Sequence, residues 1–227
     1  MDTNQFLGDN AKDYVSKQRE FYSKNNDDSR DILHSLLGNI KYQKILDAGC
    51  GSGKDVASFK NQGAIPFGID NLSMIRLAKE AYPQLKSNFV ESDVSSTPFS
   101  DSDFDIVFSR YVIQYISDLT KVYSEFNRIL KPQGVLVMLV AHPLLGFVAK
   151  KQKDYYSEEI VEIPIYDGSQ VMRWSTHTFT DFLNPYLLEH FTLEKLIEQT
   201  STNKSNENNF SETVPDYLVM KLVKNSL

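Results

Sequence analysis

The longest apolar run in the chain, residues 135–141, constrains the fold more than any other segment. A strand that faces water on one side alternates polar and apolar residues, whereas a strand covered on both sides is continuously apolar. Residues 135–141 follow the second pattern, so they predict a sheet with helices on each face. The run is too short for a membrane-spanning helix, which needs about 20 apolar residues.

Strands and helices alternate around this segment. Residues 11–22 and 28–37 predict two N-terminal helices, and the alternation begins after residue 40. The predicted strands are 44–47, 64–69, 87–90, 104–108 and 135–141, and the predicted helices between them are 54–61, 73–82 and 118–130. Such an alternation implies right-handed strand–helix–strand units and therefore a doubly wound, mostly parallel α/β sheet.

The pattern changes after residue 141. Residues 142–177 contain an alternating segment at 160–165, a turn at Asp167 and Gly168, and a second extended segment at 171–174. Two short strands joined by such a turn are typical of a hairpin. We therefore expect a small insertion after the fifth strand.

The C-terminal part returns to the α/β pattern. Residues 180–190 predict a helix that Pro185 should kink or divide, because proline cannot donate a helix hydrogen bond. Residues 191–197 and 217–223 predict the last two strands. Between them, residues 200–213 are rich in Ser, Asn and Glu and predict a solvated loop.

Composition excludes several classes of protein. A net charge of -6 and a pI near 5.3 argue against a broad electrostatic contact with nucleic acid or an anionic membrane. One cysteine allows no internal disulfide, which favours a reducing compartment. The N-terminus is polar and has no apolar segment of signal-peptide length, so a cytoplasmic location is expected.

A glycine-rich turn follows the first predicted strand, in the sequence ILDAGCGSG at residues 45–53. Gly49, Gly51 and Gly53 allow the backbone to turn sharply and to approach a ligand without a Cβ in the way. The helix that begins near Lys54 offers unpaired N–H groups at its N-terminus. The carboxyl end of a strand is also where an open α/β sheet binds its ligand.

Two classes of cofactor use such a turn. A nicotinamide-dependent oxidoreductase requires the spacing G-x-G-x-x-G, but here Lys54 occupies the position of the third glycine. Asp47 ends the strand beside the turn. Its carboxylate would repel a pyrophosphate and suits a ligand that carries an ammonium group. The sequence therefore favours a ligand that carries an ammonium group over a nicotinamide dinucleotide.

Three further polar residues end predicted strands at the same edge of the sheet. Asp70 lies 21 residues after Gly49, where a carboxylate can accept hydrogen bonds from ribose hydroxyls; the alternative role is a helix cap. Asp93 follows the third strand, where a carboxylate can accept from an adenine amine; the alternative role is an ordinary turn residue. Ser109 ends the fourth strand over the same crevice.

These motifs resemble those of the class I S-adenosylmethionine-dependent methyltransferases. The matching sequences are ILDAGCGSG at 45–53, GID at 68–70, SD at 92–93, FDIV at 104–107 and RILKPQG at 128–134. The resemblance covers about residues 40–141. It implies a seven-stranded sheet whose last strand is antiparallel. The sequences AHP at 141–143, TFTDF at 178–182 and PDYLV at 215–219 are similar to a subgroup that methylates small molecules.

The resemblance implies a cofactor site for S-adenosylmethionine. Asp47 and the glycine turn would hold its methionine end, Asp70 its ribose and Asp93 its adenine. The predicted cofactor residues are Tyr14, Asp47, Gly49, Cys50, Gly51, Gly53, Asp70, Asn71, Asp93, Val94 and Ser109. The contact from Asn71 is in doubt because the segment before Met74 is one residue shorter than the family pattern. Gln133 replaces a family glycine.

The resemblance also implies how the chain is organised. We expect one methyltransferase domain over residues 1–227, in which residues 1–37 form a helical cap and residues 142–178 an inserted substrate cap. The product would be S-adenosylhomocysteine, and the partner a small-molecule methyl acceptor. Nucleic acid and membrane are not expected as partners. No cluster of metal-ligating residues is apparent in the sequence.

Methyl transfer needs a positioned nucleophile and, for some acceptors, a general base. His142 and His177 are candidate bases, because histidine titrates near neutral pH; the alternative is a packing or turn role for each. Three other functions stay open. They are methylation of protein or RNA, cofactor binding without turnover, and a nicotinamide-dependent oxidoreductase.

Overall fold

Two β-sheets organise the chain in the computed structural model, which describes residues 6–201 and 214–226. The strands are β1 (Lys44–Ala48), β2 (Ile65–Asp70), β3 (Phe89–Glu91), β4 (Phe104–Arg110), β5 (Leu130–Ala141), β6 (Ile160–Ile165), β7 (Gln170–Ser175), β8 (Phe191–Gln199) and β9 (Tyr217–Lys224). Strands β6 and β7 form a separate antiparallel hairpin, and the other seven form the main sheet.

Helices connect the strands of the main sheet. They are α1 (Gly8–Lys24), α2 (Asp28–Ser35), α3 (Lys54–Asn61), α4 (Leu72–Ala81), α5 (Leu119–Ile129), α6 (Pro143–Ala149), α7 (Phe179–Phe182) and α8 (Pro185–His190). Short 3₁₀ segments occur at Pro83–Asn88 and Ile113–Tyr115. Among the described residues, none of these helices combines the length and the hydropathy that a membrane span requires.

The strand order of the main sheet is β3-β2-β1-β4-β5-β9-β8. Strand β9 pairs antiparallel with both β5 and β8, so the other six strands are parallel. This arrangement confirms the predicted doubly wound sheet with an antiparallel last strand. The chain order reverses between β1 and β4, which opens a crevice at the carboxyl ends of these two strands.

Strand β5 is covered on both faces, as its continuous apolar sequence predicts. Leu136, Met138 and Val140 pack with the buried face of α5, whereas Val137 and Leu139 pack on the opposite side, where α2 and α3 lie. Consecutive residues of a strand point to opposite faces, so every second residue joins a different half of the core.

Helix α5 is the main support of the first half of that core. Phe126 is fully buried, and Tyr123 beside it donates a hydrogen bond from its hydroxyl to the carbonyl oxygen of Phe182 at 2.8 Å. Asp118 caps the helix by accepting from the backbone N–H of Lys121. The helix therefore holds α7 against the sheet as well as covering β4 and β5.

The predicted division of the helix at 180–190 is confirmed, because Pro185 begins α8 after the Asn184 cap. The structure departs from the sequence-based expectations in two places. The predicted turn at 131–134 lies inside β5, where Gln133 has a positive φ of 63° and the register with β4 is interrupted. Helix α6 was not predicted, although Pro143 is a favoured first helical residue.

The predicted loop at 200–213 lies outside the described residues, apart from its first and second positions. The hairpin β6–β7 packs on α6, on the start of α1 and on Tyr115 of the second 3₁₀ segment. It is therefore positioned over the carboxyl ends of β4 and β5 and not on either helical layer.

Replacing Phe126 with alanine tests the role of α5 in the core. We expect the free energy of unfolding to fall by about 3–5 kcal/mol, because the ring is fully buried between α5 and the sheet. Urea denaturation measures the change. The control is Leu188→Ala on α8, whose side chain is 51% exposed and whose loss should cost less than about 0.5 kcal/mol. A Phe126→Ala loss below about 1 kcal/mol would contradict this packing.

Candidate active site

A cavity of about 810 Å³ lies at the carboxyl ends of the central strands. The predicted cofactor residues that line it are Tyr14, Asp47, Gly49, Cys50, Gly51, Asp70, Asn71, Asp93 and Val94. Gly53, Ser109, His142 and His177 do not belong to its lining. The structure thus brings most of the predicted cofactor residues together, while their roles stay predictions.

The three glycines of the turn after β1 serve different purposes. A Cβ on Gly49 would lie 2.1 Å from the Val112 side chain, and a Cβ on Gly53 would lie 2.6 Å from the Phe89 ring. A Cβ on Gly51 would meet nothing within 4 Å. Sequence reasoning assigned all three glycines to ligand approach, but two of them are required by close packing within the protein. Only Gly51 faces open space.

Asp47 is the most constrained polar residue in the cavity. It is 2% exposed, and its Oδ2 atom has no hydrogen-bond partner among the described residues. Burial and the charge of Asp55 raise the pKa of Asp47 well above its usual value, while Arg110 and Arg30 oppose this shift. A buried carboxylate oxygen without a partner is costly, and a cationic group in the cavity would supply the missing partner.

Asp70 fixes the conformation of the glycine turn. Its Oδ2 accepts from the backbone N–H of Gly51 at 2.8 Å, and its Oδ1 accepts from the backbone N–H of Asn71 at 2.7 Å. Burial raises the pKa of Asp70 to about 6, although both backbone hydrogen bonds favour the ionised form. Oδ1 also accepts from the Asn71 side-chain amide at 3.0 Å, so Oδ2, with one hydrogen bond and two lone-pair sites, is the oxygen that keeps acceptor capacity.

Asn71 and Asp93 both have local structural roles. Asn71 caps α4, because its Oδ1 accepts from the backbone N–H groups of Ser73 and Met74. Asp93 is exposed, and its Oδ1 accepts from the backbone N–H and the hydroxyl of Ser95, each at 2.7 Å. Asp93 is therefore a turn residue whose position at the end of β3 also places it in the cavity lining.

Ser109 and Cys50 are buried. The Ser109 hydroxyl donates to the carbonyl oxygen of Ala48 at 3.1 Å and so ties β4 to β1. Burial raises the pKa of the Cys50 thiol, which packs against Gly68 and Val56. A neutral thiol in this position is a packing group and not a nucleophile.

The two candidate bases lie away from the cavity lining. His142 Nε2 contacts Glu198 Oε1 at 2.9 Å, and its Nδ1 accepts from the backbone N–H of Leu144, so both ring nitrogens are occupied. His177 packs against Phe182 and lines a second cavity of about 470 Å³. Burial lowers the pKa of both histidines.

Sequence reasoning missed a buried ion-pair network next to Asp47. Arg110 Nη1 lies 3.0 Å from Asp27 Oδ1, and Arg30 lies 3.1 Å from Asp27 Oδ2 and 3.3 Å from Asp55 Oδ2. His34 Nε2 lies 2.7 Å from Asp55 Oδ1. Burial alone would raise the pKa of Asp55, but the His34 hydrogen bond and the two arginines lower it.

This network joins α2, α3 and the end of β4, and Arg30, Asp55 and Arg110 all line the cavity. Its members are separated along the sequence by up to 83 positions, so no local pattern reveals them. The one signal of this network in the sequence was Asp55, a carboxylate in the first turn of the helix that follows the glycine turn.

Aromatic side chains form the other part of the lining. They are Phe6, Tyr14, Phe21, Tyr22, Tyr111, Tyr115, Tyr166 and Trp174. They come from α1, from the segment after β4 and from the hairpin β6–β7. Tyr155 and Tyr156, from the segment between α6 and β6, line the second cavity.

Helix α1 and the hairpin meet over this aromatic part. The hydroxyl of Tyr166 donates to that of Tyr14 at 3.3 Å, and Gln18 Nε2 donates to Tyr166 Oη at 3.1 Å. Lys17 Nζ donates to Gln170 Oε1 at 3.2 Å. These contacts close one side of the cavity with residues from both predicted caps.

Comparison with known proteins adds a family match. Residues 46–138 match the family model described as "Methyltransferase domain". The chain is 30% identical over 109 residues to malonyl-[acyl-carrier protein] O-methyltransferase of Pseudescherichia vulneris, covering 48% of this chain and 43% of that protein. It is 27% identical over 119 residues to demethylmenaquinone methyltransferase of Renibacterium salmoninarum, covering 52% and 49%. The chain thus spans about half the length of the curated relatives it matches.

Solved structures show the same fold. A putative S-adenosylmethionine-dependent methyltransferase from Listeria monocytogenes aligns with a TM-score of 0.70 at 17% identity, covering 87% of this chain and 97% of that one. An S-adenosylmethionine-dependent methyltransferase from Mesorhizobium loti aligns with a TM-score of 0.68 at 20% identity, covering 85% and 96%. At these identities the likeness concerns the fold.

Replacing Asp47 with asparagine tests whether its ionised carboxylate destabilises the ligand-free protein. Because its pKa is raised in the folded state, the folded chain binds the proton more tightly than the unfolded chain. The ionised residue therefore destabilises the fold at neutral pH. We expect Asp47→Asn to increase the free energy of unfolding by about 1–3 kcal/mol in urea denaturation at pH 7.

The matched control for this measurement is Asp105→Asn. The Asp105 carboxylate accepts from the backbone N–H of Lys44 and pairs with Lys131, each at 2.7 Å. Losing those contacts should lower the free energy of unfolding by about 1 kcal/mol. A loss of stability in Asp47→Asn as large as that of the control would contradict the account of Asp47.

Replacing Gly53 and Gly51 with alanine separates packing from ligand approach. Both residues have positive φ, 83° and 52°, which costs an alanine about 1–2 kcal/mol. Only the Gly53→Ala side chain also meets the Phe89 ring, so its total loss in urea denaturation should be about 2–4 kcal/mol. Equal losses in the free energy of unfolding of the two variants would contradict the expected clash between the added methyl group and the Phe89 ring.

Proposed function

We propose that this chain, which carries a class I S-adenosylmethionine-dependent methyltransferase domain at residues 46–138, transfers a methyl group to a small molecule. The matched domain and the shared fold support assignment to that family, whose cofactor is S-adenosylmethionine. The acceptor and the roles of individual residues are the proposed part.

The observation that carries the proposal is the ordered row of carboxylates at one edge of the sheet. Asp47 is the second-last residue of β1, Asp70 ends β2 and Asp93 follows β3, and these three strands are neighbours. Adjacent strands lie about 4.8 Å apart, so the row matches an extended ligand. An amino acid, a ribose and an adenine would meet Asp47, Asp70 and Asp93 in turn.

The residues present fit this cofactor. The unpartnered Oδ2 of Asp47 needs a cation, which the ammonium of the methionine end supplies. The open position at Gly51 allows close approach to the turn, and Asp70 keeps acceptor capacity for ribose hydroxyls. When bound, S-adenosylmethionine supplies an electrophilic methyl group on a sulfonium.

The chain's own contribution is to position the reactants and to exclude water. Its aromatic lining continues the cavity beyond the carboxylate row, toward the ends of β4 and β5. A dry, shaped site that aligns a nucleophile with the methyl group supplies much of the rate enhancement in such a reaction. The proposal assigns no proton transfer to His142 or His177, which lie outside the cavity lining.

A small acceptor suits a cavity of about 810 Å³. We assign its closure to two caps, residues 1–37 and 142–178, which meet through Tyr14 and Tyr166. Six carboxylates but three basic side chains line the cavity, which disfavours a polyanion such as RNA. Methylation of a protein, and cofactor binding without turnover, are the alternatives.

Calorimetric titration with S-adenosylmethionine, S-adenosylhomocysteine and NADH tests the cofactor assignment. We expect both sulfur compounds to bind with micromolar affinity and NADH not to bind. Asp70→Asn should weaken S-adenosylhomocysteine binding by about tenfold or more, because hydrogen bonds to a charged group are lost.

The control is Asp103→Asn, which removes the same charge at a surface pair with Lys44 outside the cavity. Its affinity for S-adenosylhomocysteine should equal that of the wild type. Binding of NADH alone, or an Asp70→Asn variant that binds as tightly as the control, would overturn the assignment.

A further inference from the structure

Asp216 is a cavity carboxylate that lies apart from the carboxylate row. It immediately precedes β9, and its carbonyl oxygen accepts from the backbone N–H of His142 at 2.9 Å, next to the end of β5. The strand order places β4 and β5 between β1 and β9. Three strand spacings correspond to about 14 Å, so Asp216 and Asp47 lie on opposite sides of the cavity.

The Asp216 carboxylate is oriented but not neutralised. Its Oδ2 accepts from the backbone N–H of Ser201 at 2.7 Å, and the side chain is half-buried in the cavity lining. Among the described residues, no basic side chain forms an ion pair with it. Burial raises the pKa of Asp216, and the hydrogen bond from Ser201 partly opposes this rise.

Two of the three basic side chains in the described cavity lining are held by carboxylates. Arg30 and Arg110 pair with Asp27 and Asp55 in the buried network. The third, Lys54, begins α3 directly after the glycine turn, and its Nζ lies over the Tyr22 ring. An anionic acceptor held at Asp216 would therefore meet a carboxylate that no basic side chain pairs with among the described residues.

The walls between Asp216 and the caps are aromatic. Tyr111 directly follows β4, the strand next to β5, and its ring packs against Tyr217, the neighbour of Asp216. Tyr22, Phe21 and Tyr166 contact one another, with ring centroids 5.1–5.9 Å apart. Aromatic faces attract cations and also bury apolar groups.

We propose that the methyl acceptor is an amine with an apolar or aromatic body, whose nitrogen is held by Asp216. This inference rests on the proposed methyltransferase function and names its substrate class. The body of the acceptor lies against the aromatic walls, and its ammonium form pairs with Asp216, the carboxylate that the described lining residues place on that side.

The reaction balances with Asp216 as proton acceptor. The ammonium form of the acceptor passes one proton to the Asp216 carboxylate, and the freed nitrogen lone pair forms an N–C bond to the methyl group. The S–C bond breaks and its electron pair stays on sulfur, which becomes a neutral thioether. The methylated product leaves as an ammonium ion, and Asp216 releases its proton to water.

Three probes of the same shape test this assignment: 2-phenylethylamine, 3-phenylpropanoate and 2-phenylethanol. Each is titrated calorimetrically into the full-length protein saturated with S-adenosylhomocysteine, and each is then tested for turnover with S-adenosylmethionine. The amine should bind about tenfold or more tightly than the acid and the alcohol. Formation of S-adenosylhomocysteine should be detected with the amine alone.

Two substitutions of Asp216 and one control test whether its carboxylate causes the preference for the amine. Asp216→Asn should remove the preference for the amine while S-adenosylhomocysteine binds as in the wild type, and Asp216→Glu should keep part of the preference. Asp103→Asn, which removes an equal charge outside the cavity, should leave the preference unchanged. Thermal denaturation checks that each variant is folded.

The outcomes separate the two proposals. If S-adenosylhomocysteine does not bind the wild type, the proposed function fails. Three outcomes overturn the amine assignment while S-adenosylhomocysteine still binds and the cofactor assignment stands. The acid or the alcohol binds as well as the amine, or none of the three probes binds. The third outcome is that Asp216→Asn keeps the preference for the amine.

Discussion

The carboxylate of Asp47 is buried at the end of a central strand, and one of its oxygens has no hydrogen-bond partner among the described residues. The arginines of the buried network oppose the rise in its pKa, and Asp70 holds the glycine turn open beside it. Because a folded chain retains such a group at a cost in stability, the natural explanation is a ligand that carries the matching positive charge.

The cavity has two chemically different sides. Over β1, β2 and β3 it presents a row of carboxylates and a backbone turn, which can hold a polar, extended cofactor. Over β4, β5 and β9 it presents aromatic rings and a separate carboxylate, Asp216. The two sides meet where the strand order reverses, which is where an open α/β sheet is expected to bind ligands. The division follows from topology, because each side is built from the ends of different strands.

The sequence predicted the sheet because burial on two faces leaves a continuous apolar signature, as in β5. Most of the residues that it proposed for the cofactor line the cavity, because they lie at or after the ends of strands. It did not distinguish a glycine needed for packing, such as Gly53 against Phe89, from one that faces the cavity, such as Gly51. The network of Arg30, Asp27, Asp55 and Arg110 was missed, since its members come from separate elements and only tertiary structure brings them together.

A crystal structure of the protein with S-adenosylhomocysteine tests the central claim most directly. The account predicts the amino group of the ligand within hydrogen-bond distance of Asp47 Oδ2, its ribose on Asp70 and its adenine beside Asp93 and Val94. Its sulfur should face the aromatic side of the cavity. A ligand bound in the reverse direction, with adenine at Asp47, or bound outside this cavity would contradict the account.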